Sequence, residues 1–179
     1  MPIEVFVADE QSDRPIDATR WSRLAQHIVA DRRVGSDVEL SILFVDEAAI
    51  SSLNERFLDQ DGPTDVLSFP IEDDLILPIG PPGPIAPRGS GPGRQDDDYE
   101  DESTGPGIPL LLGDVVICPE VAARNAPGHA GTYEDELALL VVHGILHLLG
   151  MDHEDEQEAA VMEALEQELL DRHYRGAPP

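Results

Sequence analysis

Residues 136 to 150, ELALLVVHGILHLLG, are almost wholly apolar yet carry two histidines. A helix without a polar face has to be covered on nearly all sides, so this segment must form the centre of whatever fold the chain adopts. Imidazoles placed there need partners, because a buried polar group left unpaired costs free energy. His143 and His147 are four residues apart, which puts their Cβ atoms roughly 5–6 Å apart on one helical face, close enough to share an ion. Thr132 is suited to cap the first turn, and Glu134 and Asp135 suit its positive end.

The histidine spacing continues past the helix. HGILHLLGMDH, residues 143 to 153, places His143, His147 and His153 in the order H-x-x-x-H-x-x-G-x-x-H. On an unbroken helix, the six residues after His147 would turn the chain by ~600° and carry His153 ~9 Å along the axis, away from the other two. Gly150 resolves this, because glycine enters the left-handed conformation at almost no steric cost. The helix is therefore expected to end there and return His153 to the pair. With only 6 histidines in 179 residues, two more at fixed offsets would arise by chance about 0.001 of the time. The three are read as metal ligands, whereas His27, His129 and His173 are read as packing residues.

Zinc-protease helices share this spacing but carry a glutamate directly after the first histidine. Here that residue is Gly144. Three imidazoles leave a tetrahedral zinc one open position, the catalytic arrangement, and such an ion activates water near neutral pH without a neighbouring carboxylate. The missing glutamate would have passed a proton to an amine leaving group. Its absence therefore weighs more against peptide hydrolysis than against phosphodiester cleavage.

Around this centre the chain alternates strand and helix. IEVFVAD reads as a strand, ATRWSRLAQHIVADRR as an amphipathic helix and VELSILFVD as a buried strand. Asp46 is placed to cap EAAISSLNERFL, whose Ala49, Ile50, Leu53 and Phe57 mark one face. TDVLSFP and LLGDVVICP follow as strands stopped by proline, and EVAARNA as a short helix. The last helix, EDEQEAAVMEALEQELLDR, is read as a surface helix with Ala160, Val161, Ala164, Leu165 and Leu169 inward. The expected fold is α+β: a small mixed β-sheet of about four strands packed with helices, the zinc-binding helix central, in a single domain over 1–179. Residues 71–108, rich in Pro, Gly and Asp, are expected to be a disordered acidic insertion.

Charge and cysteine content set the context. The 37 acidic residues outnumber 11 basic ones, all arginine, for a formal net charge of −26. Such a surface argues against non-specific nucleic-acid binding, although screening beyond about 8 Å leaves room for a local arginine patch. The opening MPIEVFVADE has no basic n-region, the apolar run is too short to span a bilayer, and the one cysteine, Cys118, reads as a small buried hydrophobe. A cytoplasmic protein without membrane contact is expected.

HGILHLLGMDH, LNERFLDQDGPTDVLSFP and LGDVVICPEVA together resemble the YbeY family of metal-dependent endoribonucleases, the bacterial ribosomal-RNA maturation factors. The resemblance spans most of the chain apart from 71–108. It implies a single-strand-specific, zinc-dependent endoribonuclease acting in small-subunit ribosomal RNA maturation and ribosome quality control. The implied partners are single-stranded ribosomal RNA, the small ribosomal subunit and its assembly factors. One zinc per chain is implied on His143, His147 and His153. Many members carry an arginine where this sequence has Leu58. Arg56, two residues earlier, is either a substitute substrate-binding group or a solvated helix residue. Asp65 is the remaining candidate for catalytic proton transfer, or else caps the turn after Gly62-Pro63. Asp152 is placed to orient a ligand histidine. Two other readings stay open: a zinc metalloprotease-like hydrolase, weakened by Gly144, and a non-catalytic ribosome assembly factor with a structural metal, which Leu58 and the acidity favour.

Overall fold

The computed structural model describes residues 2–34, 37–71 and 109–176. The insertion expected over 71–108 thus lies, except for Ile71, outside the described residues. Strand β1 (Ile3–Asp9) and strand β2 (Val38–Phe44) are joined by helix α1 (Ala18–Asp31). They pair parallel, as two strands linked by a helical crossover do. Helix α2 (Glu47–Leu58) leads to β3 (Val66–Pro70), and β4 (Leu110–Ile117) then runs parallel to β2 and antiparallel to β3. The sheet order is β1-β2-β4-β3. Helices α3 (Pro119–Asn125), α4 (Tyr133–Leu148) and α5 (Glu156–Leu170) follow, completing one α+β domain.

The period-two alternation of β2 divides the core. Val38, Leu40, Ile42 and Phe44 enter the main cluster, shared with α1, α4 and α5, while Leu43 turns to the opposite face. There a smaller cluster of Val45, Ile50, Leu67, Val116, Cys118 and Val121 lies under α2. Burial pushes the Cys118 thiol pKa up, as for an inert core cysteine. The expected caps are present: Asp46 accepts from the Ala49 N–H at 2.8 Å, and Thr132 Oγ1 from the Asp135 N–H at 3.1 Å.

Two helices are rotated from the faces that their apolar residues suggest. On α5 the buried residues are Met162, Glu166, Leu169 and Leu170, whereas Ala160, Val161 and Ala164 are exposed. Three small side chains offer less apolar area than Met162 with two leucines, so the larger residues set the rotation. On α2, Ile50 and Asn54 point inward while Ala49 and Phe57 are exposed. The Asn54 amide donates to the Gly62 carbonyl at 3.0 Å, which ties the end of α2 to the turn before β3. Phe57 instead packs edge-on against Phe69, with ring centroids 5.2 Å apart.

α4 is the central element, with ten of its sixteen residues buried. Its approach to the sheet explains the glycine where zinc proteases have glutamate. A Cβ at Gly144 would stand 2.4 Å from Val115 Cγ1 and 3.0 Å from its Cγ2, and Val115 is a stiff, fully buried β-branched residue. The Gly144 carbonyl also accepts from Ser68 Oγ at 3.1 Å, fastening the helix to β3. A side chain at this position would have to lift α4 off the sheet. Gly144→Ala is expected to lower stability by about 1–3 kcal/mol, and adding Val115→Ala should restore part of the loss. Urea melts of the single and double variants check this; strictly additive losses would show that the two residues do not compete for space.

Candidate metal centre

The three histidines reach one point by two local devices. His143 and His147 lie one turn apart on α4, with their Nε2 atoms 3.0 Å from each other. The helix then ends in a left-handed turn at Gly150, φ +86°. The Gly150 N–H bonds the His147 carbonyl and the Met151 N–H bonds the Leu146 carbonyl, each at 3.0 Å. This paired closure is the Schellman arrangement of a glycine-terminated helix. It turns the chain sharply enough that the His153 ring centroid lies 5.6 Å from that of His143 and 5.1 Å from that of His147. One ring nitrogen from each residue falls within 4.8 Å of the others, so the group could hold a metal ion. Tetrahedral zinc with Zn–N bonds of ~2.0–2.1 Å needs donor nitrogens roughly 3.3–3.4 Å apart. The His143–His147 spacing of 3.0 Å is a little below this, and the His153 nitrogen lies within 4.8 Å of both.

The donors are also in the right chemical form. Glu166 Oε1 lies 2.6 Å from His143 Nδ1. Glu166 is only 7% exposed, and a carboxylate in such a place requires a donor. Nδ1 therefore carries the proton, and Nε2 keeps its lone pair for an ion, as in the carboxylate–histidine pairs that orient metal ligands. Burial, and then repulsion from His143 and His153, holds the His147 pKa below the ordinary histidine value. His147 thus stays a neutral ligand to lower pH than a free imidazole. Asp152 contacts the backbone of His153 and not its ring: its Oδ1 accepts from the His153 N–H at 2.7 Å.

Two openings meet at this cluster. One is a cleft of about 430 Å³ bordered by Asp65, His129, His143, His153, Glu163 and Glu166. The other, of about 470 Å³, runs past Leu58, Asp65, Ser68, His143, His147 and His153. Asp65 borders both, with Oδ1 accepting from Thr64 Oγ1 at 3.3 Å and from the Val66 N–H at 2.9 Å. It therefore caps the start of β3 and faces the clefts at once. Leu58 lines the second opening, while Arg56 points elsewhere, its guanidinium carbon 5.2 Å from the Phe57 ring centre. Among the described residues no arginine borders either opening.

Residue patterns missed two carboxylates and misjudged one histidine. Glu166 lies on the buried stripe of Met162 and Leu169, so it stands out as an acid at a core position only once that stripe is known to face inward. Glu136, within the acidic first turn of α4, is fully buried against His129, with Oε1 2.9 Å from Nδ1. The His129 side chain is 60% exposed, so it is a cleft residue rather than a packing one. His27 and His173 do pack, edge to face at 5.7 Å, with His173 Nε2 3.3 Å from Asp31.

A four-strand mixed sheet whose buried helix, with the turn after it, brings three imidazoles together defines an α+β protein with a candidate metal centre open to solvent. The chain belongs to the Endoribonuclease YbeY family, which matches residues 6–174. It is 43% identical over 160 residues to the Endoribonuclease YbeY of Beutenbergia cavernae, covering 89% of this chain and 91% of that one. It is 43% identical over 168 residues to that of Thermobifida fusca, covering 94% and 92%. The solution structure of a Thermotoga maritima protein shares the fold, with a TM-score of 0.54 at 24% identity over 98% of this chain and 94% of that one. Membership of the family supports an RNA-cleaving, hydrolytic role. Among the described residues no helix is long and apolar enough to cross a membrane.

If Glu166 tunes His143 as a ligand, Glu166→Gln should weaken zinc binding by about 10–100-fold while the chain stays folded. Competition with a chromogenic chelator measures this. Unchanged affinity would reduce Glu166 to a buried acid that merely borrows a histidine proton.

Proposed function

We propose that this chain is a single-strand-specific, zinc-dependent endoribonuclease acting in small-subunit ribosomal RNA maturation and ribosome quality control in the cytoplasm. The reading takes 1–179 as one YbeY-like metallohydrolase domain. The observation that carries it is the convergence of His143, His147 and His153 at two open clefts in a chain of the YbeY family. These three would hold one zinc. When bound, the ion would supply Lewis-acid polarisation of a phosphoryl oxygen and a water nucleophile at neutral pH.

The remaining chemistry falls to the chain's own residues. Glu166 keeps the proton on His143 Nδ1, and Gly150 brings His153 to the cluster. Gly144, packed on Val115, leaves no room for the carboxylate that peptide hydrolysis would use, which disfavours the protease reading. The non-catalytic assembly-factor reading draws support from the absence of arginine beside the clefts among the described residues and from Leu58 in place of the family arginine. Acidic walls also bear on how RNA is held. Arg124 pairs with Glu47, and the Arg20 guanidinium lies over both Trp21 and Tyr174, so two of the described arginines are already engaged. Weak intrinsic binding follows, and presentation of the RNA on the assembling subunit would supply the missing affinity.

The zinc-reconstituted protein should cut a short single-stranded RNA, leave a duplex and a casein substrate intact, and lose both zinc and cleavage on His147→Ala. Its RNA affinity should fall with salt at a log–log slope of roughly −1.4 to −2.1, for two or three phosphates neutralised. Casein hydrolysis abolished by His147→Ala would favour the protease. RNA bound but uncut by the zinc-loaded chain would favour the assembly factor.

A further inference from the structure

The cleft holds a second carboxylate–histidine pair that the metal cluster does not use. Glu136, in the first turn of α4, is fully buried, yet its carboxylate is aimed at a largely exposed imidazole. Oε1 and Oε2 lie 2.9 and 3.0 Å from His129 Nδ1, and Oε2 also accepts from the Ala130 N–H at 3.1 Å. Capping does not call for this arrangement, since Thr132 already caps α4. The loop itself is fixed by the His129 and Gly131 N–H groups, which bond the Ala126 carbonyl at 3.1 and 2.7 Å. An ionised carboxylate only accepts hydrogen bonds, so Nδ1 carries the proton and Nε2 is the atom free to act in the cleft. The same logic sets the tautomer of a histidine in catalytic triads.

Several of the other polar groups around the cleft are already engaged. His143 and His153 belong to the candidate metal set, and Glu166 holds His143. Asp65 Oδ1 accepts from Thr64 and Val66. Glu163 is a further acid on the wall, and no arginine borders the space among the described residues. Histidine is the side chain suited to both giving and taking a proton near neutral pH. At about 430 Å³ the cleft lies within the ~300–1,000 Å³ range of small-molecule pockets.

We propose that His129, oriented by Glu136, is the proton donor to the leaving ribose oxygen during RNA cleavage, an inference that rests on the RNA-cleaving reading above. In hydrolysis a water oxygen forms a new bond to phosphorus and one P–O bond to ribose breaks, its electron pair passing to the ribose oxygen. The Nε2–H of the His129 imidazolium gives that oxygen its proton. The proton released by the attacking water returns to Nε2 through solvent, so each bond cut consumes one water and leaves His129 unchanged. Glu136, through its contact with Nδ1, keeps the ring turned so that Nε2 faces the cleft. Loss of a positioned proton donor costs about 10²–10⁴-fold in rate.

The test uses the zinc-reconstituted full chain. His129→Gln retains an N–H that can satisfy Glu136, so it should fold. Its kcat on a short single-stranded RNA should fall about 10²–10⁴-fold, with KM and zinc content changed by no more than about twofold, because only an interaction of the transition state is lost. Long-range ¹H–¹⁵N spectra should show neutral wild-type His129 as the Nδ1–H tautomer and a mixture of tautomers in Glu136→Gln, a readout independent of turnover. A kcat for His129→Gln within about threefold of wild type would overturn the proposal, as would a loss that tracks zinc or folding, or an Nε2–H tautomer in the wild type. If the wild type cuts no RNA, the RNA-cleaving reading fails and this inference with it. If the wild type cuts and His129→Gln cuts as well, only this inference fails.

Discussion

Everything at the candidate centre depends on how closely α4 lies against the sheet. Where Gly144 meets Val115 there is no space for a side chain between helix and strand, and the Ser68 hydroxyl ties the helix carbonyl to β3. A helix held in this way cannot shift by even one methyl group without disturbing a densely packed interior. His143 and His147 inherit that rigidity. Metal sites need it, because ligands built on packed scaffold elements keep their geometry better than ligands on loops. The glycine that looks like a lost catalytic residue is therefore the feature that allows the platform to form.

Two carboxylates then divide the work of α4. Glu166 reaches from α5 to the ligand His143, and Glu136 reaches from the first turn of α4 to the cleft residue His129. Each is buried, each would be costly alone, and each fixes which nitrogen of its histidine carries the proton. Each buried acid thus contacts Nδ1 of its histidine and leaves the other ring nitrogen for the openings. The walls around the centre carry the acids Asp65, Glu163 and Glu166, and no arginine borders either opening among the described residues.

The features legible in the sequence are those set by local rules. The spacing of the three histidines, the helix end at Gly150 and the caps at Asp46 and Thr132 each follow from a few adjacent residues, and the structure has the Gly150 turn and both caps. The strand-and-helix alternation is local too, and it matches the observed elements. Features that depend on contacts between distant segments were not legible in this way. Glu166 reads as one more acid on an acidic helix until α5 is rotated so that Met162 and Leu169 face the core. Glu136 reads as a favourable charge at a helix start until His129 is seen beside it. Phe57 fits the apolar face of α2 by periodicity, but Asn54 takes the inward place through its bond to Gly62.

Three imidazoles alone from this chain would hold a zinc ion and leave one position open. X-ray absorption at the zinc edge of the reconstituted protein tests this most directly. Three imidazole nitrogens at about 2.0–2.1 Å and one further light-atom ligand are expected. A sulfur at about 2.3 Å, or a closed shell of four protein ligands, would contradict it.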